Sequence, residues 1–138
     1  MNLRLHLQIA GVLLLLLSAA HGGFSRYFGW KQELGKLTLL TRQIFLVHSF
    51  FIALVVALMG GLSLFCADAL LTPGPLSRAV LAGIFVFWLF RLVFQWFVYD
   101  AAIWRGRPFY TFMHCSFSVF WIYAVAAYGL ALRSVWMG

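Results

Sequence analysis

Four long apolar runs, separated by short polar stretches, take up most of this 138-residue sequence. A helix needs about 20 apolar residues to cross a bilayer. Only 9% of the residues are charged, too few to cover a water-exposed globule of this size. We therefore predict an all-α integral membrane protein, an antiparallel four-helix transmembrane bundle with short loops. The predicted spans of this single domain are residues 3–22, 43–65, 78–104 and 109–133.

Turn-forming residues predict where the spans begin and end. The glycine pair at 22–23 is expected to end the first span. Ser77 can cap the third span, after the Pro-Gly-Pro turn at 73–75. Pro108 suits the first helical position of the fourth span. Residues 24–41 mix basic and aromatic side chains, which is typical of an interfacial segment.

The first apolar run has two interpretations. Arg4, the run itself and the small residues at 18–20 resemble a cleavable signal peptide. The stretch from Leu3 to about Ala20 is also long enough to span a membrane. We favour an uncleaved first transmembrane helix.

Basic residues predict the orientation. The chain has ten Lys and Arg against three Asp and Glu, a net charge of +7. Six of the ten lie in the connections after the first and third spans, three lie on the opposite side, and Arg91 lies within a span. The positive-inside rule then puts both termini outside and the loops 24–41 and 105–108 in the cytoplasm, in a bacterial-type inner (plasma) membrane. Basic residues spread over loops favour membrane lipids as partners and exclude nucleic acid.

Four polar side chains recur at one depth inside the apolar runs. They lie five to seven residues from the basic residues of the predicted cytoplasmic loops, roughly 7–11 Å along a helix. Each comes from a different span, so one layer of the bundle would hold three imidazoles and a phenol. The four residues are His21, His48, Tyr99 and His114.

The third span carries a polar stripe. Arg91, Gln95 and Tyr99 follow the spacing i, i+4, i+8 of one helix face. An arginine inside a membrane keeps its charge and needs acceptors. Asp100 would lie on the opposite face, so we expect Arg91 to meet a bound anion: a lipid phosphate, a carboxylate or a haem propionate. Alternatively, the side chain of Arg91 extends along the helix to the lipid headgroups at the membrane surface.

These residues lead to a first hypothesis, a site on the inner-leaflet side for an amphiphilic anionic ligand such as a lipid or a quinone. Histidines titrate near neutral pH, which suits the histidines of this layer to acid–base chemistry on the bound ligand. The candidate ligand-binding residues are Arg91, Gln95, Arg42 and Tyr110. The candidates for acid–base catalysis are His48, His114 and Tyr99.

This plan is similar to that of the MAPEG family of eicosanoid and glutathione enzymes. The similarity covers the size of the chain, four spans, outside termini, and an Arg with a Tyr on the cytoplasmic half of a span. The resemblance implies a lipophilic substrate. In that family Asn and Glu follow the Arg of the second span, whereas here Gln43 and His48 follow Arg42 and no span contains Glu.

A second hypothesis is an accessory or assembly subunit of a larger membrane complex, or a homo-oligomer. Small residues let helices approach closely and would serve packing within the bundle or an interface between subunits. On the second span they recur at Ser49, Ala53, Ala57 and Gly61.

A third hypothesis is a b-type haem or metal-binding membrane redox protein. His48 and His114 are the best pair of axial haem ligands. Alternatively, His21, His48 and His114 together would bind a metal ion. Cys66 and Cys115 belong to no metal-binding or redox motif.

Overall fold

Helices make up nearly all of the computed structural model, which describes residues 2–27 and 30–138, with side chains described outside residues 24–31. The described residues form no strand, so the predicted all-α class is confirmed. The helices are α1 Leu3–Tyr27, α2 Trp30–Gly35, α3 Leu39–Phe65, α4 Ala67–Leu71, α5 Pro75–Phe97 and α6 Pro108–Met137, with a short 3-10 helix, Ala101–Ile103, between α5 and α6.

Four helical segments are long and apolar enough to cross a membrane, as predicted: Leu3–Gly23, Leu39–Phe65, Pro75–Phe97 and Pro108–Met137. Large apolar side chains on these segments are exposed, among them Phe50 at 62% and Phe112 at 66%. Exposing so much apolar surface to water is unfavourable, whereas contact between this surface and lipid chains is not. The surface therefore agrees with the membrane class.

The third apolar helix is shorter than predicted. α5 ends at Phe97, not at Trp104. The side chain of Asp100 accepts a hydrogen bond of 2.8 Å from the backbone N–H of Ala102 and caps the 3-10 helix. An aspartate that bonds its own local backbone competes with helix continuation, and here it does so before the apolar residues run out.

The glycine pair at 22–23 does not end the first helix, because α1 continues to Tyr27. A glycine ends a helix when it adopts a positive φ, and among the described residues only Gly106 does, at 74°. The side chains at 24–31 lie outside the described part of the chain, so the interfacial role of that stretch stays a prediction.

The start of α5 also differs from the prediction. The helix begins at Pro75, and Ser77 lies within its first turn. Ser77 caps no backbone N–H; its hydroxyl donates to the carbonyl of Thr72 at 2.6 Å and to that of Gly74 at 3.0 Å. Pro108 is the first residue of α6, as expected.

Contacts divide the chain into two compact units, residues 8–67 and residues 1–7 with 68–138. In the first unit, α1 and α3 run antiparallel. The hydroxyl of Ser18 donates to the carbonyl of Ala53 at 2.7 Å, and Gly11 lies against Gly60. A Cβ on Gly11 would stand 2.7 Å from the carbonyl oxygen of Gly60, so only glycine allows this approach.

The predicted small-residue stripe on α3 therefore serves, in part, contact with α1. Ala53 lies at that contact. Gly61 does not, because a Cβ there would meet nothing within 4 Å, and Gly60 takes the close position instead. Ser49 donates to the carbonyl of Phe45 within its own helix at 2.8 Å.

In the second unit, α5 and α6 form an antiparallel hairpin. At one end the Nε–H of Arg78 donates to the carbonyl of Val135 at 3.0 Å, and at the other end Gln95 meets His114. The side chains buried in this unit include Leu81, Ile84, Trp88, Trp121, Ala124, Tyr128 and Ala131. This hairpin carries the polar residues described next.

Candidate functional site

Arg91 lies near the end of α5 that leads into the 98–107 connection. It is six residues before Phe97, about 9 Å along the helix. Its Nη1 donates to Oε1 of Gln95 at 3.4 Å, and its guanidinium carbon lies 5.0 Å from the ring centre of Trp121 and 5.6 Å from that of Tyr99. Both Gln95 and Tyr99 follow Arg91 in sequence, so the side chain extends toward the end of α5. Aromatic faces attract the cation without neutralising it.

No acidic side chain of the protein neutralises Arg91. The chain has three acidic residues. Glu33 pairs with Lys36 at 2.8 Å, Asp68 pairs with Arg4 at 3.1 Å, and Asp100 caps the 3-10 helix. Arginine cannot shed its proton at any accessible pH. The apolar helix therefore holds a positioned positive charge that none of the three acidic side chains, all of them in the described part of the chain, neutralises.

A buried amide links Arg91 to an imidazole. Gln95 is only 6% exposed, and its Nε2 lies 2.8 Å from Nδ1 of His114. Because Oε1 of Gln95 faces Arg91, Nε2 is the donor and Nδ1 the acceptor. This arrangement requires the neutral imidazole with its proton on Nε2, which leaves an N–H donor on the far side of the ring.

The connection between α5 and α6 folds back onto His114. The ring of Trp104 stacks on the imidazole, with centroids 3.9 Å apart and planes 12° apart. The hydroxyl of Thr111 lies 2.7 Å from the carbonyl of Trp104 and 3.1 Å from that of Arg107. The positive φ of Gly106 permits the tight turn that this requires. One imidazole face is therefore covered by protein.

Stacked aromatic rings support the other side of Arg91. Trp121 stacks with Trp88 at 5.0 Å and with Phe117 at 5.6 Å. The indole nitrogens of Trp88 and Trp121 are buried without a hydrogen-bond partner in the described part of the chain. Such stacking fixes the ring that lies beneath the guanidinium. We call Arg91, Gln95, Tyr99, Trp104, His114 and Trp121 the Arg91 cluster.

Four of the predicted site residues thus come together on the α5–α6 hairpin: Arg91, Gln95, Tyr99 and His114. Tyr99 was expected on the helical stripe, but α5 ends before it, and the ring reaches Arg91 from the connection. Tyr110 is exposed and lies under Arg107, with 5.8 Å from the guanidinium carbon to the ring centre.

The other predicted site residues belong to the unit of residues 8–67. Nδ1 of His48 donates to the carbonyl of Ile44 at 2.8 Å, and Nδ1 of His21 to that of Leu17 at 2.8 Å. Arg42 is exposed. No three His, Cys, Asp or Glu side chains group closely enough to hold a metal ion anywhere in the described residues, so the three-histidine metal site gains no support.

Two aromatic members of the cluster were not predicted to be part of a site. Trp121 falls at i+7 from His114 on the same helical face, which was the available clue, but its contact with Arg91 depends on how α5 packs on α6. Trp104 was expected to continue the third span. Its place over His114 follows from the early end of α5, which spacing alone does not reveal.

Comparison with family models, with curated proteins and with solved structures finds no match to this chain. The similarity to the MAPEG family is therefore one of general plan.

Proposed function

We propose that this protein binds an amphiphile with an anionic or strongly hydrogen-bond-accepting headgroup, such as a phospholipid or a quinone, at the Arg91 cluster. The observation that carries the proposal is the charge of Arg91, for which the chain supplies no carboxylate. A cation in an apolar helix is unfavourable by several kcal/mol or more unless acceptors surround it. A ligand headgroup would supply them.

The surroundings of Arg91 suit the apolar part of such a ligand. Phe87, Phe90 and Phe94 occupy i−4, i−1 and i+3 relative to Arg91, and their side chains are 37%, 58% and 50% exposed. Exposed aromatic rings beside a half-buried charge match a molecule with one polar end and one apolar tail. The distance of about 9 Å from the end of α5 suits a headgroup just inside the membrane surface.

His114 is the member of the cluster whose imidazole can both donate and accept a hydrogen bond. Its Nε2–H would be a second donor to the headgroup, next to Arg91. We keep His114 and Tyr99 as candidates for acid–base chemistry on the ligand. For the whole chain we propose an antiparallel four-helix bundle in a bacterial-type inner membrane, with both termini outside and the loops 24–41 and 105–108 in the cytoplasm.

The proposal is tested by the amphiphiles that purify with the protein. We would extract the wild-type protein and the Arg91→Leu variant with organic solvent and quantify lipids and quinones by mass spectrometry. We expect one class to be enriched in the wild type and lost in Arg91→Leu, because the leucine has no charge to hold it. Identification of the enriched class separates a phospholipid from a quinone.

Arg133→Leu is the matched control, because Arg133 is an exposed arginine near the other end of α6. It should retain the enriched class. Leucine suits a membrane helix better than an unpaired arginine does, so Arg91→Leu should elute as a monodisperse protein. An unchanged amphiphile profile in folded Arg91→Leu would refute the proposal.

A second candidate function, an accessory subunit, is favoured by α3. Residues 39–48 of this helix are all exposed, and the contacts with α1 involve later residues, Ala53 and Gly60. A photoreactive amino acid at Phe50 should then cross-link to another protein or to a second copy. The same probe at Phe112, which is equally exposed, should react with lipid only. Lipid adducts alone at both positions would contradict this function.

A further inference from the structure

We propose that Gln95 is a switch which couples proton binding by His114 to anion binding by Arg91. This inference rests on the proposed function and concerns how pH regulates binding at the same site. Gln95 is hydrogen-bonded to both partners, at 3.4 Å from Nη1 of Arg91 and 2.8 Å from Nδ1 of His114. It is a positioning residue, since it acts through its two neighbours.

With neutral His114, the amide of Gln95 has one self-consistent orientation. Nε2 donates to Nδ1, and Oε1 accepts from Arg91. Reversing the amide would point two donors at the guanidinium, which has no acceptor. While His114 is neutral, Arg91 therefore keeps Oε1 of Gln95 as its hydrogen-bond acceptor.

A proton on Nδ1 of His114 reverses this preference. The imidazolium has only donors, so Nε2 of Gln95 can no longer bond to it. The amide must rotate by a half-turn to offer Oε1 to His114, and its Nε2 hydrogens then face Arg91. Arg91 loses its acceptor and a second positive charge arises beside it. Both changes strengthen the binding of an anionic headgroup.

The other charged or titratable groups near His114 do not oppose this coupling. Asp100 lies in the connection that packs on His114, and its carboxylate is engaged by the N–H of Ala102. The guanidinium of Arg107 stacks over Tyr110. Around His114 the packed elements carry Arg91 on α5, Tyr99, Asp100, Arg105 and Arg107 in the connection, and Tyr110 and Cys115 on α6; Arg78 on α5 and Tyr123, Tyr128 and Arg133 on α6 lie further along the hairpin.

Proton and anion should therefore bind together. Linkage makes the effect reciprocal: the anion favours the protonated imidazole by the same factor by which the proton favours the anion. Coupled sites of this kind typically change affinity 5–150-fold. We expect about a tenfold gain in affinity for an anionic lipid between pH 8 and pH 5, the range in which histidines titrate.

The test uses the full-length protein in phosphatidylcholine nanodiscs titrated with brominated phosphatidylglycerol, whose phosphodiester keeps its charge over this pH range. Bromine on the acyl chains quenches tryptophans close to the bound lipid, such as Trp121. Brominated phosphatidylcholine reports non-specific contact. The expected result is tighter phosphatidylglycerol binding at pH 5 than at pH 8.

Two variants separate the switch from general pH effects. His114→Asn retains an acceptor near the position of Nδ1 but cannot be protonated, so its affinity should be no tighter than that of the wild type at pH 8 and should not rise at pH 5. Gln95→Met removes both hydrogen bonds at similar volume and should reduce the pH dependence to what the added charge of the imidazolium alone produces. His48→Asn is the control, because His48 bonds to the backbone of its own helix and not to the Arg91 cluster, and it should keep the wild-type profile.

Imidazole chemical shifts in labelled protein give a second readout. The lipid should raise the protonated fraction of His114 more in the wild type than in Gln95→Met. Binding that depends on Arg91 but has the same pH profile in wild type and His114→Asn would overturn the switch and leave the proposed function standing. Binding that is unaffected by Arg91→Leu at every pH would overturn both.

Discussion

An alanine at Gly11 tests whether the α1–α3 hairpin depends on close backbone contact. Its Cβ would lie 2.7 Å from the carbonyl oxygen of Gly60 and 2.7 Å from the backbone nitrogen of Leu64. Ordinary contact begins at 3.4 Å, so the helices must separate locally by about 0.7 Å. Both clashing atoms belong to the backbone, and no side-chain rotation can relieve the contact.

The expected loss of stability follows from two opposing effects. Overpacking a well-packed contact is unfavourable by about 1–3 kcal/mol. Alanine is a better helix former than glycine by up to about 1 kcal/mol. We therefore expect Gly11→Ala to lose about 1–2 kcal/mol, which corresponds to a melting temperature lower by roughly 3–8 °C.

Gly61→Ala is the matched control on α3, because a Cβ at Gly61 meets nothing within 4 Å. Its stability should equal or slightly exceed that of the wild type. The measurement is the fraction of protein that stays monodisperse in size-exclusion chromatography after heating in detergent. If Gly11→Ala is as stable as the wild type, or Gly61→Ala loses as much, close approach at Gly11 and Gly60 does not stabilise the hairpin.

Four further predictions concern the rest of the chain. Arg78→Leu should destabilise the protein by about 1–2 kcal/mol, because the carbonyl of Val135 loses a charged donor; this is measured by the same heating assay, and an unchanged melting temperature would count against it. Ser18→Ala should lose about 1 kcal/mol through its missing bond to Ala53, less than Gly11→Ala. Alkaline phosphatase fused to the C-terminus should be active, and inserted in the 105–107 loop inactive; the reverse pattern would invert the proposed orientation. The purified protein should show no Soret band that shifts with dithionite, whereas such a band would restore the haem hypothesis.

Spacing along the chain predicted part of the candidate site. Arg91 and Gln95 share a helix face because four residues make about one turn, and this pair needs only α5 to be helical. The contact between Gln95 and His114 also requires that α5 packs on α6 in one particular register. The four polar residues His21, His48, Tyr99 and His114 lie at equal depth below the basic loops, and this predicted that they share one layer. Equal depth does not determine which helix faces meet. His48 shows this limit, since its ring bonds to its own helix.

The sequence by itself determined that this protein has four apolar helices of membrane-spanning length, because hydrophobicity and the scarcity of charge are local properties of the chain. It also determined that Arg91 lacks an acidic partner on its own helix. Tertiary structure alone decided that Gly60 and not Gly61 meets α1, and that Trp104 covers His114. These features depend on atoms brought together from distant parts of the chain, where differences below 1 Å decide which side chain fits.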